Sequence, residues 1–168
     1  MRLLVMSALL GLGACGSEPA DPEPDQPAVA YRLAAFESLT LERTGCYGFC
    51  PTYEVTVHAD GLVIYQGYEH VGVLGEQRGQ IDEAGMEELL ALCAELDFFS
   101  LAAEYRWTED EEGNRRTITD QPSRFTTLRL GGREHQVENY FGGPEALRTL
   151  EDRIDALSGA AEWKKREE

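Results

Sequence analysis

Two cysteines with three residues between them, Cys46 and Cys50, are the residues whose type and spacing most directly imply chemistry. They lie in the segment Thr44-Gly45-Cys46-Tyr47-Gly48-Phe49-Cys50-Pro51-Thr52-Tyr53, directly before a run that alternates like a strand. Paired, the two thiols form a structural disulfide. Free, they are redox groups or ligands for a soft metal. The compartment in which the protein resides therefore decides much of their chemistry.

The N-terminus predicts export and lipid anchoring. Arg2 is followed by an apolar run, Leu3 to Gly11, which is too short to span a bilayer but has the length of a signal-peptide core. The next four residues, Leu12-Gly13-Ala14-Cys15, resemble the bacterial lipobox, in which a signal peptidase cuts before a cysteine that carries diacylglycerol. We therefore expect a signal peptide over residues 1–14 and lipidation of Cys15.

The residues after Cys15 make the predicted location more specific. Gly16, by resemblance to enterobacterial sorting, favours the outer membrane of a Gram-negative-type cell envelope. Residues 15–30 are rich in proline and acidic side chains, so they bury little apolar area and predict an extended, disordered tether. The lipid is then the membrane contact, and the tether holds the domain clear of the surface.

Export favours a disulfide between Cys46 and Cys50, because disulfides persist in oxidising compartments. Gly48 lets the chain fold back between them, and closing this five-residue ring stabilises a fold by about 2 kcal/mol in the chain-entropy model. A thiol oxidoreductase fits less well, because its cysteines are usually two residues apart at the start of a helix. Thiols that stay free and inert are a further alternative.

Copper binding is the sharper alternative to the disulfide. A Cys-x3-Cys-Pro element is similar to the copper motif of the Sco-type chaperones of cytochrome oxidase, and two thiolates with one imidazole suit copper. His58 or His135 would complete the set with Cys46 and Cys50, and His70 is also available. The order of predicted elements does not match the thioredoxin-like arrangement of those chaperones, so we expect no metal and no other cofactor.

Composition narrows the classes of function. The chain has 168 residues and a net charge of −16, and roughly 140 residues remain after the signal and tether, enough for one domain with a proper core. Such an acidic body repels nucleic acid and anionic lipid, but it leaves open an envelope protein as partner. No Gly-x-Ser-x-Gly, His-Glu-x-x-His or phosphate-cradling glycine loop occurs. The sequence therefore leans away from an enzyme without excluding one.

Periodicity predicts an α+β fold. Strands are expected over Leu39–Thr44, Thr52–His58, Leu62–Gln66, about 71–81, Arg124–Leu130 and Arg133–Tyr140, with turns at Asp60-Gly61 and Gly131-Gly132. A helix capped by Asp82 has the apolar stripe Met86, Leu89, Leu90, Cys93 and Leu96, which makes Cys93 a buried, inert thiol. A second helix begins at Gly143-Pro144 and stops at Gly159. Residues 107–123 read as a polar loop, and 160–168 as a charged tail.

The chain resembles an uncharacterised bacterial domain family, DUF6438. The resemblance rests on the cysteine block, the Asp60-Gly61 turn, the Phe98-Phe99 pair after the first helix and Asp120-Gln121-Pro122 before the next strand. It covers roughly Phe36 to Leu157 and implies a fold without implying a reaction.

Together these features predict one domain over residues 31–159, an antiparallel β-sheet of hairpins with two helices packed on one face. The expected function is that of a lipid-anchored envelope protein, a non-enzymatic binding or structural module with a Cys46–Cys50 disulfide. The alternative is a copper- or thiol-handling envelope factor that uses the same two cysteines.

Overall fold

The computed structural model describes residues 30–165 and has an α+β architecture. The strands and helices are β1 (Phe36–Arg43), β2 (Thr52–His58), β3 (Leu62–Glu69), β4 (Gly75–Gln80), α1 (Glu83–Glu95), β5 (Glu104–Tyr105), β6 (Thr108–Glu109), β7 (Arg115–Arg116), β8 (Arg124–Leu130), β9 (Arg133–Asn139), α2 (Glu145–Ser158) and α3 (Ala160–Trp163). Seven strands form one sheet in the order β4-β3-β2-β1-β8-β9-β5, and β6 and β7 form a separate small hairpin. None of the described helices is long and apolar enough to cross a membrane.

Strand β2 shows why the first half of the chain forms a sheet. Tyr53, Val55 and Val57 alternate with polar residues and are fully buried, so one face of the strand supplies the core. The hairpin to β3 turns at Asp60 and Gly61, and Gly61 has a φ of 77°, which few other residues tolerate. The predicted strand β2 and its hairpin are therefore confirmed.

The two long helices begin and end where the sequence predicts. The Asp82 carboxylate accepts a hydrogen bond from the Gly85 N–H at 2.9 Å and caps α1. Pro144 lies at the N-cap of α2, and Gly159 stops that helix in the left-handed conformation with a φ of 82°. Buried residues of both helices join the sheet residues in one hydrophobic core, so the second face of the sheet is left without a helix.

Three segments differ from their predicted form. Residues 71–73 are bends, and only the second half of the predicted fourth strand pairs with β3, as β4. The predicted loop over 107–123 contains the β6–β7 hairpin, because the Asp110 carboxylate accepts the Asn114 N–H at 2.9 Å and closes the turn. The short β5 pairs with β9 in parallel and adds the one parallel neighbour to an otherwise antiparallel sheet.

The chain after Gly159 differs from the predicted charged tail. Ala160 is fully buried, and α3 places the Trp163 ring 5.2 Å from that of Tyr65 in the core. The Trp163 carbonyl also accepts the Val73 N–H at 2.9 Å, which joins this segment to the loop before β4. Ala160 and Trp163 therefore fold the start of this segment onto the domain. The predicted signal peptide, Cys15, nearly all of the tether and residues 166–168 lie outside the described residues.

Candidate functional site

The two cysteines form a disulfide in the turn between β1 and β2. The Cα atoms of Cys46 and Cys50 are 5.6 Å apart, within the range that a disulfide requires. The connecting segment, residues 44–51, is called the Cys loop below. It leaves the sheet after Arg43 and returns just before Tyr53, and these two residues lie directly opposite each other. The disulfide therefore closes a loop whose two ends are already paired.

Three hydrogen bonds hold the backbone of the Cys loop. The Gly48 N–H donates to the Cys46 carbonyl at 2.8 Å inside the disulfide ring. At its first residue, the Thr44 N–H donates to the Ser123 carbonyl at 3.0 Å, and the Thr44 hydroxyl accepts the Ser123 N–H at 2.9 Å. The loop is thus fixed both within itself and against the segment that leads into β8.

The Cys loop exposes two aromatic side chains. Tyr47 is 91% exposed and Phe49 is 81% exposed, the highest values among the large apolar side chains that the structure describes. The Phe49 ring meets the edge of the His70 ring, with centroids 5.2 Å apart, and otherwise faces solvent. A fold that gains stability by burying aromatic rings leaves these two outside its core.

Asp155 of α2 holds both ends of the Cys loop. Its Oδ1 accepts a hydrogen bond from the Tyr53 hydroxyl at 2.6 Å, and its Oδ2 accepts one from the Arg43 guanidinium at 2.8 Å. Lys164 also donates to Oδ2, at 2.6 Å. Asp155 and Tyr53 are buried, and burial raises the pKa of Tyr53 and keeps its hydroxyl protonated as a donor. One carboxylate therefore clamps the last residue of β1 and the second residue of β2.

A second buried carboxylate, one helical turn earlier on α2, extends this row. Glu151 accepts hydrogen bonds from Arg124 at 2.8 Å and from the Asn139 amide at 3.0 Å. Burial raises the pKa of Glu151, and the neighbouring Arg124 opposes that shift. In the sheet, Tyr53, Arg43, Arg124 and Asn139 occupy one transverse row on the core face. Helix α2 lays Glu151 and Asp155 over that row.

This buried polar row was not predicted from the sequence. Glu151 and Asp155 are four residues apart and fall between Leu147, Leu150 and Ile154 on the buried side of α2. A helical projection of α2 places both acids inside its apolar stripe. Acidic residues at such positions indicate buried carboxylates, so this pattern could have predicted the row. Through Asp155, the row holds Arg43 and Tyr53, the strand residues on either side of the Cys loop.

The structure does not assemble the copper ligands of the alternative hypothesis. Cys46 and Cys50 are bonded to each other, and His58 lies at the opposite end of β2, about 20 Å along the strand from Thr52 at ~3.3 Å per residue. His135 lies at the level of Val57, toward the same far end, and bonds the Leu101 carbonyl at 3.0 Å. Only His70 approaches the Cys loop, through Phe49. Residues 30–165 contain no group of three or more His, Cys, Asp and Glu side chains that could hold a metal.

Cys93 is buried on α1, and burial raises its pKa to about 12. Such a thiol carries almost no thiolate at neutral pH and is inert. It is the one free cysteine among the described residues. Cys15, the predicted lipidation site, is not among those residues.

Comparison with known proteins identifies a family and adds no activity. No curated protein matches the chain. A family model described as a domain of unknown function, DUF6438, matches residues 37–158, which span the sheet, the Cys loop and the clamp on α2. The chain belongs to the DUF6438 family.

Proposed function

We propose that this chain is a non-enzymatic binding module, anchored by lipid in the bacterial cell envelope, that contacts a protein partner through the Cys loop. The observation that carries the proposal is the exposure of Tyr47 and Phe49 on a loop that is closed by a disulfide and clamped by Asp155.

Rigid, exposed aromatic side chains are what a protein-binding surface needs. Aromatic residues are enriched at protein interfaces, and each can bury about 150–250 Å² of surface. Binding through a loop that is already fixed loses little conformational entropy, because the backbone is ordered before the partner arrives. The Cys loop meets both conditions, since its two ends and its interior are held by the bonds described above.

The anchor of the proposal is Cys15. Three features support an exported lipoprotein: the lipobox-like residues before Cys15, the acidic and proline-rich tether over 15–30, and a disulfide of the kind that persists outside the cytoplasm. We propose the outer membrane of a Gram-negative-type envelope, with the lipid as the membrane contact. The tether would let the Cys loop reach a partner a short distance from the surface.

Two variants of the full-length protein test the two halves of this proposal. Cys15→Ala should abolish the acyl mass on the mature N-terminus and remove the protein from the membrane fraction. Tyr47→Ser with Phe49→Ser should lose a partner that co-purifies with the wild type, while the unfolding temperature stays within a few degrees.

Ile118→Ser is the matched control, because Ile118 is also an exposed apolar residue and lies outside the Cys loop. Equal loss of the partner in the control would contradict the role of the Cys loop. Wild-type protein that carries no lipid on Cys15 would contradict the anchor. Stoichiometric Cu(I) binding by the reduced protein, lost in Cys46→Ser, would instead favour a copper-handling factor.

A further inference from the structure

The face of the sheet that the helices leave uncovered carries two carboxylates directly opposite each other. Glu42 on β1 and Glu54 on β2 are register partners in the middle of the seven-stranded sheet, and both are half-buried. Within residues 30–165, neither side chain has an ion-pair or hydrogen-bond partner. Like charges in this arrangement destabilise a sheet.

The other acidic residues in the same transverse row do have partners. Glu138 accepts hydrogen bonds from Arg106 and Ser123, and Glu76 pairs with Arg78 at 2.7 Å. The immediate neighbours of the two central acids are neutral: Gln66 lies beside Glu54, and Phe125 lies beside Glu42. The fold therefore leaves one like-charge pair uncompensated at the centre of this face.

An aromatic side chain adjoins the pair on one side and a mostly polar depression adjoins it on the other. Tyr68, which is 50% exposed, lies on the side of the Cys loop, close enough that the charges of Glu54 and Glu42 add to the effect of burial in raising its pKa. On the other side lies a shallow depression of about 470 Å³, lined by Glu37, Ser38, Glu54, Thr56, His58, Ile64 and Arg129. Its one permanent cation, Arg129, is already paired with Glu134. A path along the outer side of β2 thus runs from the Cys loop past Tyr68 and the two carboxylates into this depression.

This combination has the chemistry of a site for a lysine or arginine side chain. The cationic head can pair with both carboxylates and lie against the Tyr68 ring, while its aliphatic stem covers apolar surface such as Ile64. A divalent cation fits less well, because Ca²⁺ takes six to eight oxygen ligands, and within residues 30–165 no third acidic side chain joins this pair to form a metal-binding group. The charge of −16 also attracts a basic partner over longer range.

We propose that Glu42 and Glu54 receive a lysine or arginine side chain of the partner, so that the partner of the Cys loop is a basic polypeptide. The inference rests on the proposed function and deepens it, because the same partner touches both surfaces. It predicts an unusual opposition of effects: removing one of these charges stabilises the free protein but weakens its binding.

The first experiment uses a decalysine peptide as probe and the mature protein, with binding followed by calorimetry at fixed ionic strength. The variant carries Glu42→Gln and Glu54→Gln. Its control carries Glu111→Gln and Glu112→Gln, which remove the same charge from two exposed positions in the β6–β7 turn. The first variant should weaken binding tenfold or more and raise the unfolding temperature, whereas the control should weaken binding less than twofold.

Equal weakening in the two variants would overturn the proposal, because binding would then depend on overall charge. Displacement of the peptide by millimolar Ca²⁺ from the wild type, but not from the first variant, would overturn it in favour of a metal site.

A second experiment separates this inference from the proposed function. It places a photo-crosslinking side chain at position 49 of the full-length protein, with and without Glu42→Gln and Glu54→Gln. A partner adduct that forms with wild-type glutamates and is lost with the variant supports both. An adduct that persists in the variant overturns the basic partner and leaves the binding function standing. No adduct with wild-type glutamates overturns the binding function itself.

Discussion

Replacing Asp155 by alanine should destabilise the domain more than replacing any exposed acid, because this carboxylate holds three donors at once. Asp155→Ala leaves the buried Tyr53 hydroxyl without an acceptor and leaves Arg43 with Asp152 as its remaining ion-pair partner, at 3.3 Å. Lys164, which is partly exposed, can turn toward solvent. Two buried polar groups therefore bear most of the cost.

The expected loss follows from these contacts. Removing one partner of a buried ion pair costs about 3–5 kcal/mol, and an unsatisfied buried hydroxyl accounts for about 1–3 kcal/mol of cost on its own. These contributions overlap because they share one carboxylate, so we expect a loss of about 4 kcal/mol in the free energy of unfolding. With a urea dependence of about 2 kcal/mol per molar, the midpoint should fall by about 2 M.

Urea unfolding followed by tryptophan fluorescence measures this directly, since one of the two tryptophans, Trp163, packs against Tyr65 in the core. Asp152→Asn is the control, because Asp152 pairs with the same Arg43 but has a side chain that is 72% exposed. This variant should lower the free energy of unfolding by less than about 0.5 kcal/mol. A loss below 1 kcal/mol for Asp155→Ala, or one equal to the control, would refute the clamp. A double-mutant cycle with Tyr53→Phe should show coupling, because both changes break the same hydrogen bond.

Three further predictions concern the cysteines and the second buried acid. Cys46→Ser with Cys50→Ser should lower the free energy of unfolding in urea by about 2 kcal/mol, and reductant should lower the wild type equally but not the variant; an unchanged wild type under reductant would contradict this. Burial raises the pKa of Glu151 above that of a glutamate in the unfolded chain, so between these two pKa values the folded protein retains a proton that the unfolded chain releases. Stability should therefore fall as pH rises from the unfolded pKa through the folded pKa. Glu151→Gln should remove this part of the profile of unfolding free energy against pH, and a wild-type profile that rises relative to the variant would argue against it. Cys93, with a pKa raised to about 12, should resist a thiol reagent at pH 8 until the protein unfolds, and rapid labelling of the native protein would speak against its burial.

The architecture was predictable because local patterns agree with the packing that the sheet requires. Local patterns indicate each element: alternation predicts the strand β2, Asp82 the start of α1, Gly61 a turn and Gly159 the end of α2. The disulfide could also be expected, since Gly48 and the predicted export favour closure of the ring. The packing of Ala160 and Trp163 was not predicted, because a few apolar residues in a charged segment give no period, and their burial depends on the surface that the rest of the fold provides.

The clamp and the opposed glutamates were not predictable, because each depends on register. The sequence places Glu42 and Glu54 on strands but does not say which residues face each other, and a shift of one strand by one residue would put the two glutamates on opposite faces of the sheet. Likewise, Arg43 and Tyr53 meet Asp155 because α2 crosses this end of the sheet. Such contacts between distant segments arise from tertiary packing, which composition and periodicity do not predict.

The binding role of the Cys loop is tested most directly by site-specific photo-crosslinking in intact cells that express the full-length protein. The photoreactive side chain is placed at position 47 or 49 and, as a control, at Ala91, which is exposed on α1. We expect one discrete protein adduct from both loop positions and none from the control. Loop positions that give no adduct, or the same set of adducts as Ala91, would contradict the account.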